Sequence, residues 1–510
     1  MAEQKLQGHG EVGRREQGFT RLLGPRQEKF DEARLLALAE GMIVDGDDEI
    51  ADGRDPEENL LVPAGYTYFS QFVDHDLTFE TTSSLDLKTS PDPTTLRTPR
   101  LDLDCLYGSG PDDQPYMYAR DGAKLLPDDP AAKDLVRIPG GDPDYGRAVI
   151  GDKRNDENSI VCQIQLAFIK FHNKVVDAYA AKGLRGSDLF TAARNEVRWT
   201  YQRIVLEDLL ARVVGTPTYD FFTARRKELG DKAYALYTPD KRHGLPLEFA
   251  GAAYRFGHSM VRTGYRLNRE TKRLIFDGPD SSTADSLVGF QPLPVAHVID
   301  TWGRFFPSDD SLPPGAQPME NSTPSEDDNP VPRLQFAYKL DTSLVVPLKR
   351  LPTAIGNGSS LALLNLRRGN LFDIQTGQAF ASVLGEPALD PKYLVTRKPS
   401  GEGFTFVPVD AAFAKQTPLW FYMLAEAQVP TVNLWLEKKA DLAEDDFFSG
   451  PASSAQLGPV GGRIVLEVFN GLVDADRESF RYAANWQPLI GDKMTMTRLL
   501  KFTGLKLDLA

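Results

Sequence analysis

A mainly α fold, in a single large domain with long irregular connections, is predicted by two features of the sequence. Several segments repeat their apolar residues near the helical period of about 3.6, and alternating strand-like runs are few and short. Size sets the scale. With 510 residues, 41% apolar and 25% charged, the chain has enough apolar side chains for a large core. No solenoid-type repeat period is present, so one irregular helical body is expected rather than an array.

Residues 1–55 mix charge and glycine with one amphipathic stretch, Glu32 to Met42, and read as an N-terminal arm carrying a helix. The main body is expected over residues 56–510. Its clearest helical period runs from Ile160 to Tyr179, where Ile160, Ile164, Ala167, Phe168, Phe171 and Val175 share one face of a buried helix. Further helices are expected at Leu189 to Val213, Leu247 to Met260, Gln378 to Val383, Pro418 to Ala427 and Gly461 to Leu472. Residues 306–333 are rich in proline, serine and acids and bury too little apolar area to fold alone, so a surface insertion is expected there.

The net charge of −14 opposes a backbone-tracking nucleic-acid binder, because phosphate contact depends on clustered Lys and Arg. No apolar run approaches the roughly 18 residues of a membrane span. The N-terminus lacks the apolar stretch of a signal peptide, so residence in the cytoplasm or export by a non-classical route is expected. Cys105 and Cys162 allow at most one disulfide and form no CxxC pair of zinc or redox spacing.

Six histidines can be weighed singly, at 9, 75, 172, 243, 258 and 297. His9, His243 and His297 have no suggestive neighbours. His75 is flanked by Asp74 and Asp76 inside an apolar segment, and acids buried there need a cation or a covalent partner to offset the cost. A helix end with solvated acids would read the same way. His258 follows Arg255 by one turn in a run of small residues that admits another body closely, as suits an imidazole ligand with a guanidinium near a cofactor's carboxylates. A core helix with one ordinary histidine is equally economical. Arg154 and Glu157, three apart before the long apolar helix, can point at one cavity or merely cap that helix.

The order of these pieces resembles the animal-type haem peroxidases of the peroxidase-cyclooxygenase superfamily. That family runs from Gln-x-x-Asp-His-Asp through a calcium loop to Arg-x-x-Glu, Arg-[Tyr/Phe]-Gly-His and Leu-Asn-x-x-Arg. The series here reads Gln71 to Asp76, Thr98 to Asp104, Arg154 to Glu157, Arg255 to His258 and Leu364 to Arg368. The likeness extends over roughly residues 60 to 500, including Leu457-Gly458-Pro459 before the Gly461 helix.

The resemblance implies a single haem peroxidase domain over residues 56–510, reducing hydrogen peroxide through a ferryl intermediate and oxidising a small donor: a halide, thiocyanate, or a phenolic or other organic molecule. It implies haem b with His258 as iron ligand, Asn365 accepting from the far side of that ring, and Arg255 and Arg368 facing propionates or the proximal network. His75 becomes the distal base, Arg154 the charge stabiliser and Gln71 a neighbour of the distal halide site. Asp74 and Glu157 match carboxylates that form haem esters in vertebrate members, while Asn158 replaces a sulfonium-forming methionine. Calcium would take Asp76, Thr98, the Arg100 carbonyl, Asp102 and Asp104.

The chain departs from vertebrate members after Arg368, where Gly369-Asn370-Leu371-Phe372 replaces Arg-Asp-His-Gly. A fatty-acid dioxygenase of the same superfamily is the main rival. It needs a tyrosine three residues before the proximal histidine, where Arg255 stands, with Tyr254 one residue off. A non-catalytic haem-binding module is the other alternative, opposed by the presence of Gln71, His75 and Arg154.

Overall fold

The computed structural model describes residues 17–44, 50, 55–78, 94–95, 97–142, 145–239, 244–308, 333–401 and 403–509. His9, His243 and residues 309–332 of the expected insertion lie outside them. The architecture is mainly α, and the described strands, two to six residues long, form four small sheets. Among the described residues no helix is long and apolar enough to cross a membrane.

The helix Ser159–Ala181 runs through the middle of the core and is buried on nearly every face as far as Val176. Its start is set by Asn158, whose side chain accepts from the Ile160 N–H. Phe168 stacks on Phe72 of the Gly65–Leu77 helix, 4.7 Å between centroids, and Tyr201 of the Gly186–Ile204 helix meets Phe168 edge-on at 5.9 Å. Phe168 is wholly buried at this junction, so Phe168→Ala would cost about 3–5 kcal/mol. These packed rings fix the position of the Gly65–Leu77 helix, which carries Gln71, Asp74 and His75.

The expected helix from Leu189 to Val213 is one continuous body with a π turn at Val205–Leu209. Buried Asp208 in that turn accepts from Tyr66 Oη at 2.6 Å, Arg212 Nε at 2.8 Å and the Met496 N–H at 2.9 Å. The expected helix from Leu247 to Met260 is instead broken. An α segment, Leu247–Gly251, gives way at Ala252, φ −141° and ψ −61°, to a 3-10 segment, Ala253–His258. Side chains take over carbonyls at the break. Arg255 Nε donates to Ala250 O at 2.9 Å and Trp420 Nε1 to Arg255 O at 3.0 Å.

The helices Gly377–Leu384, Leu419–Ala427 and Pro459–Ala475 stand where the apolar period places them. Sequence reasoning missed the Leu361–Leu371 helix, whose start Ser360 caps through its hydroxyl. The principal apolar core extends from Leu35 to Leu507, and a smaller one lies under the Val395–Ser400 and Gly403–Pro408 hairpin.

Candidate active site

A cavity of about 220 Å³ is lined by Gln71, Asp74, His75, Arg154 and Glu157 together with Tyr254, Arg255, His258 and Arg368. Residues 71, 74 and 75 are i, i+3 and i+4 on one helix, which puts all three on the same face. Arg154 and Glu157 come from the 3-10 turn Lys153–Asp156 and its end. That turn begins at Asp152, whose carboxylate accepts from the Arg154 N–H.

His75 is 4% exposed. Burial, then the Arg154 charge, lowers its pKa to about 4, so the imidazole is neutral at ordinary pH. Its Nδ1 lies 2.7 Å from Asn155 Oδ1, and its Nε2 lies 3.6 Å from Glu157 Oε1. Burial pushes the Glu157 carboxyl up to about 7 despite Arg154, and Gln71 Nε2 donates to it. The Arg154 guanidinium is clamped. It donates to Asp152, to His75 O at 3.0 Å and to Thr78 O.

Across the cavity, Arg255 and His258 lie one 3-10 turn apart and both line it, as their spacing predicts. Burial, followed by the Arg255 and Arg368 charges, drives the His258 pKa down to about 3. Asn365 Nδ2 sits 2.7 Å from His258 Nδ1, and Asn365 Oδ1 is buried without a hydrogen-bond partner. The two ends of a carboxamide are isosteric. With the amide turned about, Oδ1 accepts from Nδ1–H and Nε2 keeps its lone pair for a metal. Burial disfavours the Asp74 carboxylate, yet Arg255 Nη1 at 3.7 Å, with His75 and Arg154, holds its pKa below the usual range. One Asp74 oxygen, Oδ1, is buried and unpartnered. Two neutral imidazoles, two guanidinium groups and unpaired buried oxygens around one cavity fit a haem bearing propionates.

Tyr254, next to Arg255 in the 3-10 segment, also lines the cavity. Its hydroxyl donates to Ser70 O at 3.3 Å.

Asp76, Asp102 and Asp104 each bring a carboxylate oxygen within 4.8 Å of the others. Asp76 is fully buried with both oxygens unpartnered, and burial plus the Asp102 charge raises its pKa to about 7. Leu101 and Leu103 hold left-handed φ values of 54° and 61°, costly for leucine, and this curls the loop so that Asp102 and Asp104 converge. Thr98 Oγ1 donates to Asp102 at 2.6 Å, while the Arg100 carbonyl accepts from Gln202 Nε2 at 3.2 Å. Three converging acids, of which Asp76 keeps both oxygens and Asp102 its Oδ1 without a hydrogen-bond partner, suit a hard cation.

Several residues shaping the site carry no signal in one sequence: Asn155 and Gln165 behind His75, and Asp152 and Arg97 behind Arg154. A residue that touches only another side chain has no motif of its own.

Residues 94–288 match the family model of the animal haem peroxidases. Among solved structures, peroxidase A from Dictyostelium discoideum is similar over 96% of this chain and 93% of its own, with TM-score 0.58 and 14% identity. The fatty acid alpha-dioxygenase of Arabidopsis thaliana is similar over 97% of this chain and 76% of its own, with TM-score 0.53 and 16% identity. Among curated proteins the sequence finds no match. At such identities the structural likeness speaks for the fold alone. Residues 94–288 are thus similar in sequence to the animal haem peroxidases, and the mainly α fold is one the chain shares with these solved structures.

Proposed function

We propose that the protein is a haem-dependent peroxidase that reduces hydrogen peroxide and oxidises a small donor, a halide, thiocyanate, or a phenolic or other organic molecule. The observation that carries this reading is the shared cavity: neutral His75 with Gln71 and Arg154, facing the same space as His258 backed by Asn365. Haem b bound there would supply the iron at which peroxide takes up two electrons and through which the donor loses them.

His258 Nε2 would ligate that iron, with Asn365 fixing the ring through Nδ1. His75 Nε2 takes a proton from one peroxide oxygen and returns it to the other as the bond between them breaks. Arg154 stabilises the charge developing on the departing oxygen, and its bonds to Asp152 keep it fixed for that task. Gln71 orients the small molecule beside His75. Arg255 and Arg368 would pair with propionates.

Asp74 and Glu157 both line the cavity and would form esters to haem methyl groups, each methyl carbon being oxidised by two electrons at the expense of peroxide, which would remove the cost of two buried acids. Calcium would be held by Asp76, Asp102 and Asp104, joined by Thr98 and the carbonyl of Arg100, steadying the helix end that carries His75.

An absorption spectrum of the purified protein before and after peroxide tests the reading. A Soret band that moves on addition of peroxide, and dye oxidation lost in His75→Ala, are expected; a colourless protein sinks it. The second reading, a fatty-acid dioxygenase, is favoured by Tyr254 on the cavity wall. It predicts lipid hydroperoxide from polyunsaturated fatty acid and oxygen without added peroxide, abolished in Tyr254→Phe.

A further inference from the structure

Both cavity histidines are backed through Nδ1 by an asparagine carboxamide at 2.7 Å, but the two asparagines are held differently. Asn365 Oδ1 has no partner. Asn155 is pinned from behind: its Nδ2 donates to Gln165 Oε1 at 2.9 Å, with both residues wholly buried. Gln165 sits on the central Ser159–Ala181 helix, so the relay is anchored in a buried stretch of the core. Since Asn155 turns its amide nitrogen to Gln165, the end it turns to His75 is the carbonyl oxygen, an acceptor only. An acceptor at Nδ1 demands a proton on Nδ1. In a neutral ring the lone pair then resides on Nε2, on the side of Glu157 and the cavity.

We infer that Asn155, held by Gln165, is a positioning residue that fixes the distal His75 ring with its proton on Nδ1 and its Nε2 free to accept. The inference rests on the peroxidase reading, in which that nitrogen takes the proton of the incoming peroxide. Without the relay the ring is free to carry its single proton on Nε2 or to swing about its side-chain axis, and either state removes the acceptor. The opposite register, with both carboxamides turned, would present Nδ2 to the ring and place the proton on Nε2, so that Asn155 would hinder the base. The two registers make opposite predictions.

The test uses the full-length, haem-loaded chain and cyanide, because hydrogen cyanide must surrender its proton to a distal acceptor as it binds, without turnover. Association is followed by the Soret shift at about pH 8, where an unperturbed imidazole is neutral, and the peroxide reaction is followed beside it. His75→Ala and Asn155→Leu are each expected to slow cyanide association at least about tenfold, with the Soret position and thermal midpoint of Asn155→Leu near those of the parent. Asn155→Asp keeps an acceptor in place and is expected to restore most of the rate. Gln165→Leu, which does not touch the ring, frees the carboxamide to turn and is expected to slow association as well; it carries the test if Asn155→Leu fails to fold. The inference is overturned if His75→Ala slows cyanide while Asn155→Leu and Gln165→Leu leave it unchanged or faster, or if Asn155→Asp is as slow as Asn155→Leu. Indifference of cyanide and peroxide to His75→Ala would instead overturn the peroxidase reading itself.

Discussion

Arg97 and Arg154 share a single carboxylate oxygen: Oδ2 of Asp152 accepts from Arg97 Nη2 at 2.6 Å and from Arg154 Nη2 at 2.7 Å. Asp152 is 1% exposed, and although burial works against its charge, Arg154 and Arg97 hold its pKa far below the ordinary carboxylate range. The other arm of Arg97 donates to Asp104 Oδ1 at 3.0 Å, so one chain of alternating charges joins the candidate cation loop to the candidate distal arginine.

Replacing the shared anion leaves two guanidinium groups facing each other in a buried place. Asp152→Asn keeps the shape and removes the charge, and a stability loss of about 3 kcal/mol is expected in urea titration, as for breaking other buried pairs. Arg154 loses its clamp at the same time, so the peroxide step should slow more than donor binding weakens. A variant with parental stability would show that the two arginines find other partners.

The three-acid cluster makes calcium and pH interdependent. Without a cation, the Asp76 pKa is raised to about 7 by burial and Asp102, above its unfolded value of about 3.9. The folded state then holds a proton that the unfolded chain has lost. Stability from that proton is full below the unfolded pKa and fades as pH rises through about 7. A bound cation needs the carboxylate, so its stabilising effect should grow over the same range. Thermal midpoints in calcium and in chelator are expected to separate widely at about pH 8 and little at about pH 5, and Asp102→Asn should close the gap. Equal separations at both values, or no calcium by elemental analysis, would remove the cation from the account.

Asp74 and Glu157 predict how firmly the cofactor is retained. After peroxide treatment, acidified organic solvent should leave haem on the parent chain, extract part of it from either single variant, Asp74→Ala or Glu157→Ala, and all of it from the double. Full extraction from the parent would mean that the two acids serve only as polar lining.

The parts of this molecule that were legible in the sequence are those with a period or a fixed spacing. The central helix announced itself by apolar residues from Ile160 to Val175, and Gln71, Asp74 and His75 stood out by the spacing of a motif, while the Gly65–Leu77 helix that puts them on one face was not among the expected helices. Two failures are physical. Leu247 to Met260 keeps a helical pattern, but Arg255 Nε and Trp420 Nε1 supply hydrogen bonds that let the backbone break at Ala252, and Trp420 lies 165 residues away from Arg255. The helix bearing Asn365 has arginines and a glycine among its leucines, which obscured its apolar face. Asn155, Gln165 and Asp152 act through other side chains across distances in sequence that no local pattern records.

The segment Gly369-Asn370-Leu371-Phe372, where the chain departs from the vertebrate pattern, receives the N-terminal arm. Asn370 Oδ1 accepts from Arg26 Nη2 at 2.7 Å and from the Phe30 N–H at 2.8 Å, and its Nδ2 donates to Phe30 O at 2.9 Å. Arg26 Nε reaches Ile374 O at 3.1 Å, and its guanidinium lies 3.7 Å over the Phe30 ring. Upstream, the N–H groups of Leu22 and Leu23 donate to Glu248, on the short helix that precedes Arg255 and His258. Residues 22–30 thus strap the helix bearing Asn365 to the segment leading to His258. Asn370→Ala removes three hydrogen bonds at a part-buried site, and at about 1 kcal/mol each a loss of about 2–3 kcal/mol is expected. Because the strap joins the two elements that place the Asn365 carboxamide and the His258 ring, Asn370→Ala should also release haem to an apo-globin acceptor faster than the parent does. Slower unfolding or unchanged haem transfer in that variant would show that the arm merely covers surface.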